Sequence, residues 1–487
     1  MLNRAFAADI QKKPARQNVV MRFAITLSII FFLFTLLALF TAQRHVSELT
    51  VTTGFMVVNT RAVSLLLAAI FLVYALFFWK CRRSVQEKNG WRWICIGAVL
   101  FIAILLVSPP FLSADVYGYV VRSIITTNHE INPYQIAPAE LGYSSIVIWP
   151  EQVMRYGPVY VLYSLGLTRV AGDSIALNVI IYRLANIGWL VLSSWLIYKI
   201  LLVRSREAAR IGTAFFLWNP FILFEVVHSA HNDIMLLVAV LGALFLIQRQ
   251  RYLYAIWVLL VGALIKYSLI VLIPFVVVLI FRQTAIWWKK IVTIIGAILG
   301  ATIFTAVAYW PFGGWSSNVE NLRGAFYSLE FITLPKAVVL SLVHLLGDWF
   351  SLDPAQLGWM TRNAYVGVFV LILLAALCLP GRSWRFESLV KRFFWVLLML
   401  VMLLSIKLNI WYLVWILPLA LLVDSTIYIW NFVLLTAFGL LFYNEMGVFV
   451  VTVLLWISMV LVKLFDFSQF RLGLMPKKLS EIKHDIK

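Results

Sequence analysis

The chain has 487 residues, of which 63% are hydrophobic and only 13% charged, about half the charged share of a soluble globular chain. That balance excludes an ordinary soluble enzyme, and the net charge of +19 suggests nucleic acid only until the charges are placed. The lysines and arginines gather at Arg4 to Arg22, Lys80 to Arg92, Lys199 to Arg210, Arg249/Arg251, Arg282 to Lys290, Arg382 to Arg392 and Lys463 to Lys487. Short loops rich in Lys and Arg stay in the cytoplasm, and such clusters also meet anionic lipid headgroups. Membrane lipids are therefore expected partners, and nucleic acid is not.

Apolar runs near the ~20 residues that span a bilayer recur along the chain. The first is long and lacks a small-residue cleavage site, so it is expected to stay as a helix. Spanning helices are predicted near 23–42, 61–79, 93–112, 174–203, 209–226, 232–248, 252–267, 269–281, 289–310, 361–380, 393–408, 411–423, 426–442 and 446–463. The fold class is all-α and polytopic, with about 11–14 crossings by this length rule. The pairs 252–281 and 393–423 leave open a single bent or re-entrant element each. With the basic clusters inside, both termini are cytoplasmic and the number of crossings is even.

Two outer stretches, 113–172 and 311–360, are too long for turns. Within the first, Val159–Val170 is apolar enough to span, but a crossing there would put Lys199–Arg210 on the wrong side. It reads as a helix in the outer interface. Val116–Thr126 reads the same way, following Pro109-Pro110 and capped by Ser113 or Asp115. Cys81, Cys95 and Cys378 fall at cytoplasmic helix ends without metal-ligand spacing, and no disulfide is expected. No internal repeat is visible.

Ionisable groups at membrane depth are expensive, so their positions carry information. Asp115, Tyr117, Tyr119 and Arg122 open the first outer stretch; Asn132-Pro133-Tyr134 and Tyr156-Gly157-Pro158 follow it. His228, His231, Asn232 and Asp233 form an outer turn, with Glu225 nearby; Lys266 sits at the next, and Lys407, Asn409, Trp411 and Tyr412 at another. All converge on one outer depth, which argues for an active site there. Plainer roles exist for each. Asp115 suits a helix cap or an ion pair with Arg122, His231-Asn232-Asp233 suits turn chemistry, and Lys266 suits snorkelling. Trp149, Trp310, Trp411 and Tyr412 suit the interface belt. Arg183, mid-helix, calls for a partner or a phosphate.

From Asp115-Val-Tyr-Gly-Tyr through Asn132-Pro133-Tyr134, the sequence resembles the GT-C superfamily of polytopic glycosyltransferases that use polyprenyl-phosphate sugars. It is most similar to bacterial polyprenol-phosphate-mannose-dependent mannosyltransferases. Tyr156-Gly157-Pro158, Asn219-Pro220, His231-Asn232-Asp233, Ile265-Lys266 and Trp411-Tyr412-Leu413-Val414-Trp415 follow in the family's order, from about residue 95 to 420. One departure is that the acidic motif follows the third predicted span and holds a lone Asp115 beside Ala114, where many members carry paired acids.

The resemblance implies a GT-C-like transmembrane catalytic domain at 23–464, between cytoplasmic basic ends at 1–22 and 465–487. It implies a multi-pass protein of the cell membrane with its active site on the extracytoplasmic face. There a hexose, with mannose favoured, passes from a polyprenyl-phosphate donor to a glycan, lipid or protein acceptor with inversion. Asp115 would be the base on the acceptor hydroxyl. Lys266, Arg183, Lys407 and His231 would meet the donor phosphate, whose charge grows as the bond breaks. Tyr117, Tyr119, Arg122, Asn132, Tyr134, Tyr156, Asn232, Asp233, Trp411 and Tyr412 would contact substrate. No cofactor is expected: Gly-rich phosphate loops are missing, and the lone acid gives a divalent metal little support. The alternative from the residues is a transporter or flippase of lipid-linked sugars, which would place polar groups at mid-bilayer or on both faces.

Overall fold

A computed structural model of the protein describes residues 19–39, 60–86, 88–327 except 146 and 148, 354–378, 384–405 and 409–441, with isolated positions 345, 347 and 457. Among these residues the chain is all-α, without a strand. The first half comprises α1 (Val19–Leu39), α2 (Thr60–Gln86), α3 (Lys88–Val107), α4 (Asp115–His129), α5 (Pro158–Ala171), α6 (Ile175–Leu202), α7 (Arg206–Leu217), α8 (Pro220–His228) and α9 (Asp233–Gln248). The second comprises α10 (Tyr252–Ala263), α11 (Tyr267–Gln283), α12 (Trp287–Tyr309), α13 (Ser316–Tyr327), α14 (Pro354–Cys378), α15 (Phe386–Leu404), α16 (Ile410–Leu422) and α17 (Thr426–Leu441).

The protein is a multi-pass membrane protein. Six described helices, α1, α2, α3, α6, α12 and α14, are long and apolar enough to cross a bilayer, and α7 with α8 makes a seventh, bent by 56°. Several predicted spans are short elements instead: α9, α10, α11 and α16 are apolar but under eighteen residues. The stretch 252–281 is the α10–α11 pair broken at Lys266, and 411–423 consists of two successive 3-10 segments rather than an α-helix. Pro418 helps to explain the second case, since proline removes a backbone donor and clashes with the preceding turn. The helices expected at 116–126 and 159–170 are α4 and α5. The second outer stretch, expected over 311–360, contains α13 and the first turns of α14. The predicted span 446–463 and both basic ends fall outside the described residues, apart from 457 and the first residues of α1.

In lipid, a helix hides its polar residues and exposes its apolar ones. α6 does this along its 28 residues. Asn178, Tyr182, Arg183, Asn186 and Ser193 face inward and are buried, while Leu177, Ile180, Leu184, Val191 and Trp195 are exposed. The inward stripe follows helical spacing and supplies the polar partners that the broken helices beside it need.

That break begins at Asn219-Pro220. Proline cannot continue the preceding helix, and the Asn219 side chain caps the new one by accepting from the Ile222 N–H at 3.1 Å. α8 then ends in a single π turn, Phe224–His228, of the kind that often marks functional sites. Ala230 adopts φ 56°, a left-handed conformation that costs a non-glycine residue about 1–2 kcal/mol. The irregular backbone leaves carbonyls without helical partners, and α6 supplies them. Arg183 Nε donates to Val227 O at 2.8 Å, and Asn186 Nδ2 donates to Val226 O at 3.2 Å and His231 O at 3.0 Å.

Tyr156-Gly157-Pro158 docks backbone to backbone on the end of α10. Gly157 N donates to Ile265 O at 3.0 Å and Val159 N to Leu264 O at 3.1 Å. A Cβ on Gly157 would lie 2.1 Å from Leu264 O, so only glycine allows this approach. Pro158 opens α5, where its missing N–H costs nothing. The stretch between α4 and α5 is also tied to the one after α12: Asn132 Nδ2 donates to Phe312 O at 2.8 Å and Asn321 Nδ2 to Tyr134 O at 2.6 Å.

Candidate active site

Asp115 is the first residue of α4; the N-cap position belongs to Ala114, without a side-chain cap. Its backbone N–H donates to Ser113 Oγ at 3.3 Å, so Ser113 serves the helix start and the Asp115 carboxylate is left for other work. That carboxylate keeps 21% of its side-chain surface open. His231, brought in by the turn at Ala230, is fully buried. Its Nε2 lies 2.9 Å from Ser113 Oγ and 3.7 Å from Asp115 Oδ2, and its Nδ1 lies 2.6 Å from Glu225 Oε2. The imidazole stacks on Trp411 of α16, with ring centroids 4.3 Å apart and planes 13° from parallel.

Lys266 leaves the end of α10 in an extended conformation. Its Nζ donates to Asp233 Oδ1 at 2.9 Å and lies 4.3 Å from the centre of the Tyr412 ring and 5.8 Å from that of Tyr156. Asp233 is fully buried in the first turn of α9, where the helix end favours a negative charge. Lys266 keeps 17% of its side chain exposed. The cluster therefore opens at a carboxylate and at an ammonium, with its other charges behind them.

Burial pushes the Asp115 carboxyl above the ordinary aspartate range, and the charges of His231 and Lys266 pull it part of the way back. Burial acts on His231 in the opposite sense, towards losing its proton, but the hydrogen bond and charge of Glu225, then Asp115 and Asp233, outweigh it and hold the imidazole above its ordinary value. Apolar surroundings penalise every charged form, so each group here depends on its neighbours for its charge.

The structure thus gathers Asp115, His231, Asp233, Lys266, Trp411 and Tyr412, with Tyr156 and Tyr119 alongside. The hydroxyl of Tyr156 donates to that of Tyr119 at 3.4 Å. Asn232 is buried, and neither of its amide atoms has a hydrogen-bond partner among the described residues. Tyr117 packs against the main core from the same helix as Asp115.

Other expected site residues serve as scaffold. Arg183, expected at the donor phosphate, is held by backbone carbonyls. Besides Val227 O, its guanidinium donates to the carbonyls of Leu105, Leu106 and Ser108 at the end of α3, so four contacts to backbone occupy a side chain with five N–H donors. Arg122 likewise donates to the carbonyls of Gly118, Trp149 and Gln152, where it folds the loop rather than pairing with Asp115. Asn132 and Tyr134 hold the loop together, with Tyr134 OH donating to Tyr156 O at 3.0 Å. Lys407 lies outside the described residues. Among the described residues no group of three or more His, Cys, Asp or Glu is arranged to hold a metal ion.

Glu225 and Ser113 are the members that sequence reasoning did not assign. The available signal was an acid inside an apolar stretch, a costly position that demands a partner.

The family model described as "Alpha-(1->6)-mannopyranosyltransferase, N-terminal domain" matches residues 24–282. That range holds Asp115, Glu225, His231, Asp233 and Lys266 and stops short of Trp411 and Tyr412. The chain is 24% identical over 311 residues to alpha-(1->6)-mannopyranosyltransferase A of Mycobacterium tuberculosis, a match covering 59% of this chain and 56% of that protein. It is 22% identical to the protein of the same name from Corynebacterium glutamicum, over 56% of this chain and 59% of the relative. It is 26% identical to a probable alpha-(1->6)-mannopyranosyltransferase of Mycolicibacterium smegmatis, over 57% and 56%. The matches thus span little more than half the length of these relatives. No solved structure matches the chain. With the family's model covering more than half of its residues, from α1 to the end of α11, the chain belongs to the alpha-(1->6)-mannopyranosyltransferase family.

Proposed function

We propose that the protein is a membrane mannosyltransferase that moves its sugar from a polyprenyl-phosphate donor to a glycan, lipid or protein acceptor, with inversion, on the extracytoplasmic face of the cell membrane. The observation that carries the reading is that a carboxylate, Asp115, and an ammonium, Lys266, are both partly open in one otherwise buried cluster. Sugar transfer needs those two charges. A carboxylate takes the proton of the attacking hydroxyl, while a cation meets the phosphate as the glycosidic bond breaks and the electron pair passes to oxygen. The names of the relatives support the sugar, and the outer loops meeting at the cluster support the face.

In this mechanism Asp115 accepts the acceptor's proton. Lys266 stabilises the leaving phosphate, and His231, buried behind the opening, faces the Asp115 carboxylate rather than the donor; Tyr156, Tyr412 and Trp411 wall the sugar. Arg183 takes no part beyond holding α3, α6 and α8 together. A transporter would place its polar groups at mid-bilayer or on both faces, and the cluster instead collects where α4, the turn after α8 and the α10–α11 break meet.

The test is transfer by purified protein from defined polyprenyl-phosphate sugars, with product analysis. Asp115→Asn keeps the shape of the side chain but cannot take the proton, and turnover should fall by about 10²–10⁴-fold while binding of a donor analogue survives. Near-normal turnover in the variant would refute Asp115 as the base.

A further inference from the structure

Glu225 lies behind the reacting end of the cluster, fully buried, and its contacts run in one line. Its Oε2 is 2.6 Å from His231 Nδ1, and the opposite ring nitrogen is 3.7 Å from Asp115 Oδ2. The ring between them is pinned. His231 N donates to Glu225 O at 2.9 Å, Asn186 holds His231 O, Ser113 Oγ lies 2.9 Å from Nε2, and Trp411 stacks on the face. A plain helix end needs neither a buried carboxylate nor a second charged group one ring away, since buried ions cost several kcal/mol unless paired. The strained φ of Ala230 and the π turn bring these groups into register, and such strain persists where surrounding structure over-determines it.

We infer that Glu225 is a positioning residue that acts on Asp115 through His231: it holds the imidazole protonated, with its charged Nε2–H edge beside the Asp115 carboxylate, which thereby stays ionised in largely buried surroundings. The inference rests on the sugar-transfer reading for its catalytic meaning. Lys266 is the other cation that acts on Asp115, and it is held by its own ion pair with Asp233 at 2.9 Å. Arg122 is more remote in effect, and His231 is the strongest of the charges that favour the Asp115 carboxylate. The remaining groups that face the pair are Asp233 and His228 towards His231, and Asp233, Tyr119, Tyr156 and Tyr412 towards Asp115. Among the acids, Glu225 supports the imidazolium most strongly.

The sign of the effect follows. Glu225→Gln keeps the size and a hydrogen-bonding group at Nδ1 but removes the charge, so His231 gives up its proton more readily. Asp115 then loses the cation 3.7 Å from its carboxylate and becomes harder to ionise. Transfer requires the carboxylate, so the acid limb of the rate-versus-pH curve should move to higher pH, by about one to two units for an opposite charge lost at this range.

The experiment compares wild type, Glu225→Gln and Glu225→Asp in sugar transfer across pH, with donor KM and thermal unfolding measured alongside. Expected for Glu225→Gln are the shifted limb, a kcat down by about tenfold or more near the limb that recovers at higher pH, and a donor KM within about twofold of wild type. Glu225→Asp, which keeps the charge, should stay near the wild-type limb. An unmoved limb in folded Glu225→Gln, or a loss equal at every pH that tracks lowered thermal stability, overturns the inference. If Glu225→Gln does not fold, His231→Gln, which removes the same cation, must shift the limb in the same direction or the inference falls. A pH titration of the Asp115 carboxyl by infrared difference spectroscopy, assigned by its loss in Asp115→Asn, reads the coupling without turnover. A band that moves in Glu225→Gln while wild type transfers no sugar would leave the coupling standing and remove the sugar-transfer reading. Transfer by wild type with neither band nor limb moved would do the reverse.

Discussion

Lys266 offers a measurement that separates architecture from chemistry. In Lys266→Met the partner Asp233 is left fully buried without the ammonium 2.9 Å away. Breaking one side of a buried ion pair costs on the order of 3–5 kcal/mol. Asp233 occupies the first turn of α9, where the helix end returns about 1 kcal/mol, leaving a loss of about 2–4 kcal/mol. Asp233→Asn in the same background removes the orphaned charge and should recover most of that stability. It does not restore a cation for the donor. If Lys266 meets the phosphate, the double variant should stay well folded yet lose about tenfold to over a hundredfold in donor kcat/KM, the value of one charge-assisted hydrogen bond of ~1.5–3 kcal/mol. Unfolding in detergent, followed by size-exclusion fluorescence, gives the first quantity, and initial rates over a donor series give the second. A double variant with wild-type donor kcat/KM would refute the phosphate role and leave Lys266 as the counter-ion of Asp233 alone.

Two further predictions test the frame around the site. Arg183→Met frees four carbonyl contacts among α3 and the π turn, so membrane abundance should fall steeply while the surviving protein keeps its donor KM; a selective rise in donor KM at normal abundance would return Arg183 to the phosphate. In a background without cysteine, Ser144→Cys should react with an impermeant thiol reagent from outside and Arg251→Cys only after permeabilisation. Labelling of both from one side would overturn the topology on which the extracytoplasmic site depends.

Much of this was legible in the sequence, for reasons that differ by element. The long spans were, because about twenty apolar residues in a row admit few alternatives. α4 and α5 were legible as helices, α4 from the Pro109-Pro110 stop and cap residues before it and α5 from its apolar run. Asp115, His231, Asp233 and Lys266 stood out because charge is costly there, and the structure brings them together. Arg183 and Arg122 drew attention on the same ground and turned out to serve backbone carbonyls, which sequence does not reveal. Free carbonyls arise only where helices break, and a π turn has no residue pattern of its own. For the same reason Glu225 went unassigned: its distance from His231 depends on how the backbone turns between them. In α16 apolar length suggested a span, and the Pro418 within it, visible in the sequence, was the sign of irregular backbone.

The inward polar stripe of α6 and the charged cluster beside it bear on how the protein is assembled in the membrane. α12 and α14 have spanning windows only 11% buried; they are apolar nearly all round and can enter lipid unaided. The stretch from α7 to α9 carries Glu225, His228, His231 and Asp233 together with a broken backbone. An acid such as Asp at the centre of a lone spanning helix costs about 2.5–3.5 kcal/mol on insertion, before any unpaired carbonyls are counted. Two of the π-turn carbonyls find partners on α6, at Arg183 and Asn186, and Arg183 in turn needs the end of α3. α3 and α6 both precede the break in the chain, so N-to-C synthesis delivers the receiving surface first. Truncated nascent chains ending beyond α9 should accordingly integrate when α3 and α6 are present and slip out of the bilayer when either is replaced by an inert apolar helix.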